Sequence, residues 1–144
     1  MITDKTADLL AKILGDSRYV RMNSGTTKTR LADLSLCHAD LIWFCEKYEG
    51  PFWSKKLGLE MLDAIEGVEN ICTATELCRS LYGFPSQYAV LSGLVAGQAI
   101  LLDCKRDRVF EVDFEGGDKL LVADQLPLRW RGFEDFLLDY FSEG

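Results

Sequence analysis

The most constraining feature of this chain is a change of hydrophobic period near Gln87. Upstream, apolar residues recur at helical spacing; from Gln87 on, short segments alternate in the manner of strands. Segments 87–94, 98–103, 108–114 and 119–123 read as strands, and none is far enough from the next to hold a crossover helix. The third alternates well, with Phe110, Val112 and Phe114 on one side and Val109, Glu111 and Asp113 on the other. Cys104-Lys105-Arg106-Asp107 and Glu115-Gly116-Gly117-Asp118 supply turn-type residues between them. Consecutive strands with short connections must pair antiparallel.

Helices bracket that block. In the stretch before Gly50-Pro51, Leu41, Phe44, Cys45 and Tyr48 fall at i, i+3, i+4 and i+7, one stripe facing a core, with Ser35 as the expected N-cap. Residues 3–14 form an earlier amphipathic helix, with Leu9/Ile13 and Leu10/Leu14 pairs and Gly15 just beyond. Residues 133–141 close the chain with Phe133, Phe136, Leu137, Tyr140 and Phe141 at the same spacing. Between these, 19–22 and 57–62 read as short strands, 23–29 as a loop, 63–74 as irregular and 75–81 as a brief helix capped by Thr75. The expected fold is α+β, one domain over 1–144, with a mainly antiparallel sheet of about four to six strands packed by N-terminal and C-terminal helices.

Composition enters where function is concerned. The 144 residues carry 16 Lys+Arg against 23 Asp+Glu, a net charge of −7, and 48% are hydrophobic. That balance disfavours nucleic acid and anionic membranes as partners, because both need a cationic surface. The acids are unevenly placed: residues 1–56 have a net charge of +2 and residues 57–144 a net charge of −9. Between Leu57 and Cys78 lie Glu60, Asp63, Glu66, Glu69 and Glu76 with no base. Such a run either is a solvated face or steers a cationic partner.

The chemistry-bearing residues are sparse. The single histidine, His38, excludes two-histidine metal motifs and reads as a surface or capping residue. Glu111-x-Asp113-x-Glu115-Gly116 opens like a calcium loop, yet position 12 is Val122, where a bidentate carboxylate belongs. No metal, cofactor or catalytic residue is therefore expected. Five cysteines (Cys37, Cys45, Cys72, Cys78 and Cys104) form no C-x-x-C, and the N-terminus lacks a signal-peptide layout. Reduced thiols in a cytoplasmic protein, mostly small core residues, are the expectation, and an enzyme using Cys45, Cys72 or Cys104 would lack an evident base. Trp43 and Trp130 read as core or core-edge; Trp53, in an expected loop, either covers a sheet edge or anchors a partner.

The order of pieces carries a resemblance. Tyr48-Glu49-Gly50 ends an amphipathic helix, and Phe84-Pro85-Ser86-Gln87-Tyr88 leads into a strand. Ile100-Leu101-Leu102-Asp103 then pairs with Val109-Phe110-Glu111-Val112, and Gly132-Phe133-Glu134-Asp135-Phe136-Leu137 opens a last helix. Over residues 33–141 this resembles the SUKH superfamily of fungal glucan-synthesis regulators and bacterial immunity proteins. The chain departs from it at Leu34-Ser35-Leu36, where relatives often carry a leucine-proline pair, and at Pro51, where a second glycine often stands. The resemblance implies an α+β domain without catalytic residues. Its partner would be a cognate toxin domain, often a nuclease, or an endogenous protein in the regulatory branch. The candidate partner-binding residues are Glu111, Asp113, Glu115, Glu66 and Glu69, with Trp53 as an aromatic anchor.

Overall fold

The computed structural model describes residues 1–16, 18–22, 25–94 and 96–142. Among them the order of elements is α1 (Asp4–Leu14), α2 (Gly25–Asp33), α3 (Ala39–Lys47), β1 (Phe52–Ser54), β2 (Leu59–Met61), α4 (Ile71–Tyr82), β3 (Tyr88–Val90), β4 (Gln98–Asp103), β5 (Arg108–Asp113), α5 (Gly117–Val122) and α6 (Phe133–Tyr140). The α+β class is as expected. The sheet is not.

Instead of one sheet of four to six strands there are two small antiparallel ones, β1-β2 and β3-β4-β5. Among the described residues they meet at the bridge Met61 to Ser92, backed by the Leu62 N–H donating to the Leu91 carbonyl at 2.9 Å. The chain leaves strand geometry on both sides of that bridge. Asp63 turns it with a carboxylate that accepts the Ile65 and Glu66 amides, and the Ser92 hydroxyl takes the Ile100 amide.

Other expectations change for local reasons. Residues 119–123 are not a strand: they fall in and just after α5, a short helix in which Leu121 is buried while Leu120 and Val122 are exposed. A run of three apolar residues cannot choose between the two periods by itself. Residues 25–29 of the expected loop belong to α2, which is held by Thr27 and Leu31 four positions apart; Asn23 and Ser24 lie outside the described residues. The helix expected at 75–81 starts at Ile71, because Asn70 and Thr73 form a reciprocal capping box. It ends at Gly83, whose φ of 67° is left-handed and suits glycine. The cap of α3 is His38, not Ser35. Of the expected strand at 19–22, only a bridge from Val20 to Tyr48 is present.

The helical stripes pack as their spacing predicts. Leu41, Phe44, Cys45 and Tyr48 are buried on α3, and Phe133, Phe136, Leu137 and Tyr140 on α6. Phe44 is the junction: its ring lies 5.3 Å from Phe52, 6.0 Å from Phe133 and 6.1 Å from Phe141. Tyr140 carries a polar handle into this core. Its hydroxyl accepts the Met61 amide at 2.8 Å and lies 2.7 Å from the Leu59 carbonyl, so α6 clamps the β1–β2 hairpin. Glu134 ties α6 to α1 by accepting the Thr3 amide and the hydroxyls of Thr3 and Thr6.

A buried ion pair joins the two halves. Arg21, its side chain 1% exposed, pairs with Asp63, likewise 1% exposed, and donates to the Cys45 and Tyr48 carbonyls at the end of α3. The Asp63 oxygen that meets Arg21 also accepts the Gly50 amide at 2.9 Å. Satisfying nearly every polar atom is what lets such charges sit inside. No helix among the described residues is long and apolar enough to cross a membrane.

Candidate protein-binding surface

His38 is the first place to look for chemistry, because the fold brings Asp40 and Asp107 to it. The ligand-type atoms of these three residues lie within 4.8 Å of one another. The hydrogen bonds decide what the cluster can do. Nδ1 of His38 accepts the Leu41 amide at 3.1 Å, so the ring proton sits on Nε2, which donates to Asp107 Oδ1 at 2.7 Å. A metal at Nε2 would need that nitrogen deprotonated while Nδ1 still accepted a hydrogen bond, which a neutral imidazole cannot offer. Asp40 is meanwhile taken by the Ile2 amide at 3.1 Å. Capping α3 and ligating an ion are mutually exclusive uses of this ring.

The thiols are equally constrained. Cys45, Cys72 and Cys78 are buried, Cys104 is partly buried and Cys37 is exposed. Burial pushes the Cys78 thiol up to about 11, and burial reinforced by the Asp103 carboxylate pushes Cys104 up to about 12. Cys45 and Cys72 are raised by burial too. A nucleophilic cysteine needs the opposite environment, with a nearby cation or base that stabilises thiolate.

The acids singled out from sequence do not form one strip. Glu111 and Asp113 face outward on β5, but Val109 on the same side is buried and bridged to Trp130. Glu115 lies past the strand in the turn before α5. The Asp113 carboxylate accepts the Glu115 and Gly117 amides at 3.0 and 3.2 Å, which gives it a turn-building role. Glu111 lines a groove whose walls also include Lys56, Arg129 and Trp130.

Trp53 is 62% exposed, on β1 rather than in a loop, with Glu60 as its cross-strand partner. It lines an open groove with Ile13, Lys55, Lys56 and Phe141. Glu66 and Glu69 lie elsewhere, on the exposed segment leading into α4, with the Glu69 carboxylate against Gly93.

Around Glu69 the structure reveals what the sequence reading missed. Val68 is fully exposed, and on α4 Leu77 and Leu81 are 49% and 62% exposed. Val68, Glu69, Thr73, Ala74, Leu77 and Leu94 line a shallow groove. The buried stripe of α4 is Ile71, Cys72, Ala74, Thr75 and Cys78, so Leu77 and Leu81 stand off the core-facing side. Their i, i+4 spacing was visible in the sequence; which side of the helix is covered was not. Val68 and Leu77 are thus exposed apolar side chains of one groove, with Leu81 one turn further along α4.

No protein-family model matches the chain, and no curated protein sequence matches it either.

Proposed function

We propose that this chain is a non-enzymatic protein-binding domain, an immunity protein of the SUKH type that neutralises a cognate toxin. The observation that carries the reading is the pairing of exposed apolar side chains with one-signed charge. Val68, Leu77 and Leu81 stand in solvent, Glu69 shares the groove of Val68 and Leu77, and Glu66, Glu69 and Glu76 fall in the run from Leu57 to Cys78 that has no base. Apolar contact area supplies affinity, and surrounding charge supplies encounter rate and selectivity. A nuclease must present a cationic surface to its phosphate substrate, which makes it a complementary partner for an acidic inhibitor. The order of motifs that resembles the SUKH superfamily supports the same assignment, as does a histidine committed to capping.

Co-expression with the product of the gene directly upstream tests this reading. The expected result is a stable complex on purification together with rescue of growth from that product. Rescue failing while the chain instead co-purifies with a housekeeping protein would overturn the immunity assignment in favour of a regulatory adaptor.

A further inference from the structure

We infer that the groove along the outer flank of α4 receives a basic amphipathic helix of the partner; the inference rests on the protein-binding reading. Its floor and walls are apolar or small, through Val68, Ala74, Leu77 and Leu94. Leu81 extends the row by one further turn of α4. Thr73, Leu77 and Leu81 form one i, i+4 ridge about 12 Å long at 1.5 Å per residue. A helix lying along it engages apolar side chains at i, i+3 or i+4, and i+7, which span about 10 Å.

Charge selects among occupants. Glu69 lines the groove, Glu66 lies three residues earlier on the segment leading into it, and Glu76 is on α4; all three are exposed. The one base on α4, Arg79, is turned away: its guanidinium donates to the Leu34 and Ser86 carbonyls, both at 2.6 Å. On α4 and the segment before it the groove therefore offers apolar contact beside acids with no free base, and Lys or Arg on the flanks of the incoming helix completes it. A second copy of this chain would bring the same acids face to face, and like charges juxtaposed at an interface oppose association. An anionic membrane is disfavoured by the same acids.

The test is an amide-resolved NMR titration of the full chain with a synthetic helical peptide bearing Leu at i, i+3, i+4 and i+7 and Lys on both flanks. Shift changes are expected at residues 68–77, Leu81 and Leu94. The double variant Leu77→Glu/Leu81→Glu should bind at least about tenfold more weakly. Because both side chains are exposed, its melting temperature should match the parent, which separates lost binding from lost folding. Glu69→Gln/Glu76→Gln should flatten the salt dependence of the affinity. The inference is overturned if a Glu-flanked peptide binds as well as the Lys-flanked one, or if the shifts cluster around Trp53. It is also overturned if the parent self-associates through this flank. Binding of the natural partner separates the two readings. If that partner binds parent and double variant equally, the groove assignment fails and the protein-binding function stands. Peptide capture in the groove without any toxin neutralised would leave the groove and remove the immunity function.

Discussion

His38 and Asp107, 69 positions apart, meet at 2.7 Å, and the contact ties two helix starts to one hairpin turn. His38 caps α3 through Nδ1, while the same Asp107 oxygen that receives Nε2–H also accepts the Phe133 amide at the start of α6, at 3.0 Å. A carboxylate at a helix N-terminus is favoured by the dipole as well as by the bond. His38→Asn keeps a capping side chain and loses the Asp107 contact, so it should cost about 1 kcal/mol; His38→Ala loses both and should cost about 1–3 kcal/mol. Urea melts measure the difference. Chelator should leave the melting temperature of the parent unchanged, and partner binding should survive in the Asn variant. A folded His38→Asn chain that no longer binds would refute the structural role.

Tyr140 makes a similar clamp at the other end of α6. Tyr140→Phe keeps the ring and removes the hydroxyl that accepts the Met61 amide in the buried middle of the hairpin contact. The expected loss is about 1–3 kcal/mol, the penalty of an unsatisfied buried donor. Phe136→Ala, at a site 1% exposed, should cost about 3–5 kcal/mol through the cavity it leaves. Thermal denaturation should rank the two in that order. Equal losses would mean that the hairpin clamp matters as much as the packed ring.

Both α6 residues were legible in the sequence, because a stripe of five large apolar residues has few places to go. The same holds for α3, and β4 has the bounds read for it at 98–103. What escaped were elements with little pattern to display. α2 buries only Thr27 and Leu31, and a threonine on the inward face gives no apolar period. β1 is three residues long, and its register is set by Met61, Glu60 and Leu59 across a turn. The site was legible in part. Glu69 lines the exposed apolar groove and Glu66 lies on the segment leading into it, whereas Glu111 lines a different groove together with Lys56 and Arg129. Sequence spacing pairs Leu77 with Leu81; only tertiary packing shows that this pair is left outside the core.

The thiols give a third prediction. Iodoacetamide at about pH 8 should add a single carbamidomethyl group to the native chain, on exposed Cys37, because burial holds the other thiols well above the pH of the reaction. Mass spectrometry of peptides identifies the site, and the modified chain should retain its melting temperature and its partner. Rapid labelling of Cys104 would show that its turn opens far more readily than the packing implies.

Asp139 should contribute to acid sensitivity. Its carboxylate receives Lys56 Nζ at 2.5 Å and the Trp130 indole N–H at 2.9 Å, and these bonds hold it below the usual carboxylate range. A carboxylate depressed in the folded state stabilises the fold above its unfolded value, about 3.9 for aspartate, and loses that contribution as pH falls through the folded value. Asp139→Asn should therefore be less stable than the parent at neutral pH and approach it below about pH 4. Parallel urea melts across that range provide the check; a constant difference between the two proteins would assign the loss to packing.

The last prediction separates steering charge from structural charge around β5. Reversing Glu111, Asp113 and Glu115 together would confuse the two, since Asp113 builds the turn into α5 through the Glu115 and Gly117 amides. Glu111→Lys/Glu115→Lys leaves that turn intact and changes exposed positions only, so stability should move by no more than about 0.5 kcal/mol. If the acidic side of β5 faces the partner, association at low salt should slow by about tenfold or more. The gap should then close as added salt shortens the screening length from about 10 Å at 0.1 M to about 3 Å at 1 M. Dissociation should change little, because rim charges act mainly on encounter. An unchanged association rate would place the partner on the α4 flank alone. Glu111 would then belong to the local electrostatics of Lys56 and Arg129, the two cations that share its groove.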